Sequence, residues 1–189
     1  MRSFALLAFL ILLITGFDRK PIVAEVCLSP EEKRLYDMIM EYRKSKNLPS
    51  IPLSSKLTLV AKTHARDLAE NYEFSPKNKC NPHSWSEKGT WTSCCYANHK
   101  QASCMWVKPQ EIAGYTGNGY EIAYYSSIGA SAKEGLDGWK ISPGHNPLLI
   151  NSGTWSTIEW NAIGIAICEE YGLVWFGEVK DEDVTALCK

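Results

Sequence analysis

The placement of cysteine constrains this chain more than any other feature. Cys80, Cys94, Cys95 and Cys104 crowd one segment, Cys27 and Cys188 stand near opposite ends, and Cys168 lies alone. Grouped thiols of this kind fit disulfides formed in an oxidising compartment. We expect two bridges inside the crowded segment, one bridge tying the ends of the mature chain, and Cys168 buried and free. Spacing leaves the partners inside the segment open, except that adjacent Cys94 and Cys95 do not suit each other.

The N-terminus agrees with export. Arg2 precedes the apolar run 4–14, which has the length of a signal-peptide core and is short for a bilayer span. Residues 1–24 therefore read as a signal peptide, with cleavage between 16 and 24; an uncleaved anchor helix is the competing reading. Ala24-Glu25-Val26 before Cys27 makes a poor lipoprotein signal. The protein is expected outside the cytoplasm: secreted, or in the periplasm or on the cell surface of a bacterium. Residues 28–189 are long enough for a single domain with its own core. A net charge of −1 gives no reason to expect nucleic acid or an anionic membrane as partner. No stable membrane insertion is expected after signal cleavage, and a monomer is.

Ser29-Pro30-Glu31-Glu32 is a helix opening with a capping box, and Leu35, Met38, Ile39 and Tyr42 follow in helical phase. A second helix runs from Ser54 or Ser55 to about Asn71, with His64 inside its apolar stripe, where a hydrogen-bonded structural histidine is the favoured reading. Segment 74–119 has no sustained periodicity and reads as a long cysteine-stapled loop. Its Trp85, Trp91 and Trp106 are expected to fill core or to wall a cleft. Tyr120 to Tyr125 reads as a short strand or a turn of helix. Ser126 to Trp139 reads as a third helix, with Ile128, Ala132, Leu136 and Trp139 in phase. Ser142-Pro143 then looks like a fresh helix start that places His145 in its first turn, anchored by Leu148-Leu149-Ile150. Between Trp160 and Cys168, isoleucines alternate with small residues, so a helix is expected close against the small face. A turn at 169–172 and a second strand, 173–179, complete a hairpin.

Several motifs resemble the CAP superfamily (cysteine-rich secretory protein, antigen 5 and pathogenesis-related-1; the SCP domain), in its bacterial branch. Trp139 to Ile150 is similar to the family's W-x-x-S-P-G-H segment. Gly119-Tyr120-Glu121-Ile122-Ala123 resembles its G-E-N-(I/L)-A motif with one residue displaced. Asn81-Pro82-His83-Ser84 resembles the region of its first histidine, and Ala162 to Ala166 its I-G-(V/I)-(A/G) strand. The resemblance covers roughly Ser29 to Val179. It implies an α+β fold, a three-layer α-β-α sandwich with a mainly antiparallel central sheet and a large cleft. His83, Glu121 and His145 are implied to meet in that cleft, with Ser142 also expected to line it. Ser142 stands where a second acid is common, so the resemblance supports no mechanism that needs two carboxylates; Glu134 and Asp137 lie earlier on the third helix and are poor substitutes.

Two imidazoles backed by a carboxylate suit Zn²⁺ held modestly, with water completing the shell. His83 and His145 are thus the expected metal ligands, and Glu121 is the candidate for catalysis, with a histidine as the alternative general base. The preferred function is binding of a small-molecule or lipid-like ligand, or a cell-envelope component. The alternative is a metal-assisted hydrolase, peptidase or esterase, in the same cleft. A zinc knuckle of Cys94, Cys95, His99 and Cys104 has the wrong spacing. A serine nucleophile at Ser84 or Ser142 lacks any supporting motif.

Overall fold

The structure, a computed structural model, describes residues 26–183 and 185–188. The expected signal peptide lies outside the described residues. In chain order the elements are β1 (Cys27–Leu28), α1 (Pro30–Ser45), α2 (Ser55–Asn71), α3 (Ala102–Ala113), β2 (Gly119–Tyr125), α4 (Ala132–Ile141), α5 (Asn146–Leu149), β3 (Ala162–Cys168), β4 (Tyr171–Gly177) and β5 (Ala186–Leu187). α1 starts at the expected capping box: Ser29 Oγ accepts from the Glu32 amide at 3.2 Å, and the Glu32 carboxylate accepts from the Ser29 amide at 2.7 Å. Ser54 caps α2 by accepting from the Leu57 amide at 3.0 Å.

An antiparallel sheet of order β2-β4-β3 separates two layers of helix. Strand alternation sends Ile163, Ile165, Val174, Phe176 and Ile122 to one face, against Leu35 and Ile39 of α1 and Leu136 and Trp139 of α4. Ala162, Ala166, Leu173 and Trp175 face the other way, against Leu57, Val60, Ala61 and Ala65 of α2. The expected three-layer α+β sandwich is what the structure has. The small face of β3 is where a helix comes closest: a Cβ on Gly164 would lie 2.1 Å from the Leu57 carbonyl carbon.

Four local expectations are corrected. Segment 74–119 is not loop throughout, because α3 occupies Ala102–Ala113. Its start has no side-chain cap and Pro109 sits inside it, so neither helix signal was there to read. The third helix begins at Ala132 with Ser131 as its cap, not at Ser126. Gly129 takes a φ of +101° in the preceding turn, and Ile128, placed in the buried stripe by phase, is 89% exposed. Ser142-Pro143 does not open a helix; α5 starts at Asn146, with His145 as its N-cap residue. Finally, β4 starts at Tyr171, so the hairpin turn is Glu169-Glu170.

Three disulfides form, Cys27–Cys188, Cys80–Cys95 and Cys94–Cys104, and Cys168 is free, half-buried rather than buried. The first bridge joins residues 161 apart in sequence beside the parallel β1–β5 pair. Two strands of two residues have little stability of their own. Removing this bridge in a Cys27→Ser/Cys188→Ser variant is expected to lower stability by about 2–4 kcal/mol through regained freedom of the unfolded chain. Denaturant unfolding of variant and parent checks it, and equal midpoints would contradict it.

Candidate functional site

Three separately anchored segments deliver the expected residues to one place. His83 sits on the stapled loop. There Asn81 Oδ1 accepts from the His83 amide at 3.0 Å, and Ser84 Oγ accepts from the Tyr96 amide at 2.8 Å. Trp85 and Cys94 form an antiparallel bridge behind it. His145 sits at the start of α5, a four-residue helix too short to hold itself. Its anchors come from elsewhere. Buried Arg43 donates to the Leu149 carbonyl and to Asn151 Oδ1, both at 2.7 Å. Tyr42 donates to Asn146 Oδ1 at 2.9 Å, and Trp160 Nε1 to the Leu148 carbonyl at 2.9 Å. Glu121 comes from β2, on the face that looks at α2.

The Glu121 carboxylate is shared by two histidines. One oxygen faces His83 Nδ1 at 2.7 Å and the other faces His64 Nδ1 at 2.5 Å. His64 is fully buried, stacked on Trp85 with ring centroids 4.0 Å apart, and its Nε2 donates to the Ser84 carbonyl at 2.9 Å. A carbonyl oxygen only accepts, so Nε2 carries a hydrogen and the His64–Glu121 contact holds a single further proton. Burial opposes ionisation of Glu121, but His64 and then His83 outweigh it and bring its pKa down to about 2. For His145, burial comes first and His83 adds to it; against the pull of Glu121 they lower its pKa to about 4, so the ring is neutral at pH 7.

His83, Glu121 and His145 line one cavity of about 530 Å³, whose walls are largely Met105, Trp106, Tyr120, Leu148 and Trp155. Ser142 is not in it. It lines an adjoining cavity of about 410 Å³ with Phe74, Tyr124 and Tyr125, and His83 and His145 line that one as well. Of the three tryptophans of the stapled segment, Trp106 walls the cleft at 39% exposure, whereas Trp85 is core and Trp91 packs beside it.

Two members of the site were missed as such. His64 was read as structural, and it is, but it also completes the carboxylate's coordination; its position in an apolar stripe facing a sheet was the only signal. His99 lines the larger cavity and its Nδ1 lies 2.9 Å from the Tyr96 hydroxyl. Only the stapling of its loop puts it there, so nothing local foretold it. Among the described residues, no group of three His, Cys, Asp or Glu side chains is arranged to hold a metal. His83 Nδ1 is spent on Glu121, which leaves its Nε2. The His145 side chain makes no hydrogen bond among the described residues. The ring nitrogens of this pair left without a hydrogen bond are therefore His83 Nε2 and those of His145.

The family model for CAP, the cysteine-rich secretory protein family, matches residues 36–175. Among solved structures, an extracellular SCP-domain protein from Bacillus anthracis aligns with a TM-score of 0.55 at 18% identity, over 79% of this chain and 40% of that one. An outer surface protein from Borrelia burgdorferi aligns with a TM-score of 0.53 at 23% identity, over 79% of this chain and 93% of that one. A cysteine-rich secretory protein from Staphylococcus aureus aligns with a TM-score of 0.53 at 15% identity, over 79% and 38%. This chain thus spans about 40% of the Bacillus and Staphylococcus proteins, and at these identities the likeness speaks for the fold. No curated protein matches the sequence.

Proposed function

From the premise that the chain belongs to the cysteine-rich secretory protein family, CAP, we propose that it is an extracytoplasmic binding protein whose cleft takes a small amphipathic, lipid-like ligand. The observation that carries this reading is the wall chemistry of the larger cavity. Trp106, Trp155, Tyr120, Met105 and Leu148 offer apolar surface, and the polar groups converge at His83 and His145. An apolar chain lies against the aromatic wall while a polar end reaches the imidazoles. Three disulfides support an oxidising location. Among the described residues no helix is long and apolar enough to cross a membrane.

A zinc ion is an optional second occupant. His83 Nε2 and the His145 ring would hold it, and Glu121 would orient His83 by accepting its Nδ1 hydrogen. The metal would polarise a ligand oxygen. Hydrolysis is the less favoured reading, because a carboxylate held at about 2 is a weak base at neutral pH.

The test has two arms. Dansylated dodecanoic acid titrated into the protein should bind, and Trp106→Ala should weaken binding on the order of tenfold through lost apolar contact. Absence of binding removes the lipid-like ligand. Zinc titrated by calorimetry should give heat with the parent and none with His83→Ala/His145→Ala; equal heats would remove the metal. A panel of peptide and ester substrates should show no turnover.

A further inference from the structure

The two edges of the central sheet are treated differently. At the outer edge of β3, the Ile163 amide donates to the Pro52 carbonyl at 3.0 Å and the Ser54 amide donates to the Ile163 carbonyl at 2.9 Å. Further along, the Ile167 amide donates to the Glu32 carboxylate at 3.2 Å. That edge is paired at Ile163 and at the Ile167 amide. On β2, antiparallel pairing turns alternate residues toward β4. The Ser126 amide bonds the Glu170 carbonyl across the pair at 2.9 Å, so Tyr120, Ile122 and Tyr124 face β4 by the two-residue period. Gly119, Glu121, Ala123 and Tyr125 therefore turn their backbone N–H and C=O outward. Trp139 Nε1 donates to the Ala123 carbonyl at 3.1 Å. Among the described residues, that indole is the only hydrogen-bond partner of any of these outward groups.

Unpaired edges invite another strand, and proteins usually blunt them with lysine, proline or a bulge. β2 has none of these: its sequence is Gly-Tyr-Glu-Ile-Ala-Tyr-Tyr and its register with β4 is unbroken. Its edge runs along the cleft. Tyr120, Glu121 and Ile122 line the cavity of about 530 Å³, and Ala123, Tyr124 and Tyr125 line the one of about 410 Å³. His83 and His145 line both, so they stand at the junction.

We propose that the cleft also receives an extended polypeptide segment, which adds as a fourth strand to the outer edge of β2. Its backbone supplies the complement of the Glu121, Ala123 and Tyr125 amides and of the Glu121 and Tyr125 carbonyls. From Glu121 to Tyr125 the edge is about 13 Å long, which engages about five residues of the incoming chain. At one end a side chain enters the cavity walled by Met105, Trp106 and Trp155, which selects an apolar or aromatic residue. At the other end, the stacked pair Phe74–Tyr125, with centroids 4.3 Å apart, offers a flat ring surface. Proline is excluded wherever the segment must donate to β2. The occupant is a flexible segment rather than the folded edge of a second copy, because Glu121, one of the outward-turned residues, is only 5% exposed. A single chain reaches that depth and a whole sheet does not. The proposal shares cavity walls with the lipid-like ligand but rests on backbone groups that such a ligand does not use.

The test uses the disulfide-bonded protein and two pools of acetylated, amidated, proline-free pentapeptides built from Val, Thr, Ser, Tyr and Trp. One pool has ordinary amides. The other has the same side chains but is N-methylated at every second residue, in either phase. With the ordinary pool at millimolar concentration, amide exchange followed by NMR should slow at least tenfold at Glu121, Ala123 and Tyr125. It should stay unchanged at Tyr120, Ile122 and Tyr124, which already bond to β4. The methylated pool should bind at least tenfold more weakly. Equal binding of the two pools, or no protection at the three outward amides, overturns the proposal. Protection that rises with protein concentration in the absence of peptide also overturns it, by assigning the edge to a second copy. Dansylated dodecanoic acid in the same samples separates the two readings, since its binding survives if only the strand proposal fails.

Discussion

Gly164→Ala is expected to remove a large part of the stability of the folded state. The added Cβ would lie 2.1 Å from the Leu57 carbonyl carbon and 2.3 Å from both the Leu57 oxygen and the Thr58 nitrogen. These are backbone atoms in the first turn of α2, and no rotamer change moves them. Either β3 or the helix must shift; β3 carries part of both buried clusters, and α2 carries much of the one on its own side of the sheet. The cost is about 4 kcal/mol or more, set against a total stability of about 5–15 kcal/mol for an ordinary domain. Soluble yield and thermal unfolding measure it. Gly138→Ala is the control, because its Cβ would meet the Tyr124 ring at an ordinary 3.4 Å and alanine favours the helix. That variant should unfold at or slightly above the parental temperature. A Gly164→Ala protein as stable as the parent would mean that α2 does not lie directly on β3.

The second large effect is at Glu121, where two substitutions of similar size should part company. Glu121→Leu removes the carboxylate and leaves His64 Nδ1 buried without a partner, beside a His83 ring that has lost its anchor. That loss is expected to be about 3–5 kcal/mol. Glu121→Gln keeps every contact satisfied. Its carbonyl accepts from His83 Nδ1, its amide donates to His64 Nδ1, and His64 Nε2 still donates to the Ser84 carbonyl. It should cost far less than the leucine variant. Equal losses in the two would mean that volume, not hydrogen bonding, holds this position.

The same pair has a pH signature. The folded Glu121 carboxyl titrates at about 2 against an ordinary 4.5, so its stabilisation is complete above pH 4.5 and is lost as pH falls toward 2. The amount is on the order of 3 kcal/mol. Glu121→Gln lacks that acid-labile window. His145 acts at higher pH. Its folded pKa of about 4 lies below the ordinary 6.5, so the unfolded chain takes up the proton first and stability declines as pH falls from 6.5 to 4. That decline should remain in Glu121→Gln. Unfolding midpoints measured from pH 7 to pH 2 on both proteins separate the two windows.

The sequence carried the outer frame well where its signals were local. Ser29 and Ser54 capped α1 and α2 as their side chains demanded, and the small residues of β3 announced the helix that lies on them. It carried the frame poorly where tertiary contacts override local chemistry. α3 holds Pro109 and lacks a cap, yet it forms because the Cys94–Cys104 bridge fastens its first turn and Met105, Lys108 and Pro109 are buried. The stretch 126–131 looked helical by phase, but Gly129 turns it away. In the site, His83, Glu121 and His145 were legible through motif order alone, and they do line one cavity. The arrangement around Glu121 was not legible, because it depends on α2 and β2 meeting across the sheet. Sequence spacing says nothing about which ring nitrogen faces which oxygen.

The bridge between Cys27 and Cys188 holds their Cα atoms 4.9 Å apart, which makes the described chain nearly a closed ring. Its order of elements is then a convention that can be rewritten. A short Gly-Ser linker from 188 to 27 would span that gap easily, and new ends opened between the exposed residues Glu87 and Lys88 would leave every strand pairing in place. Such a circular permutant, with both cysteines replaced, should adopt the same sandwich. It would tether the stapled loop and α3 through different backbone, and so free the cleft wall to be redesigned without disturbing the sheet beneath it.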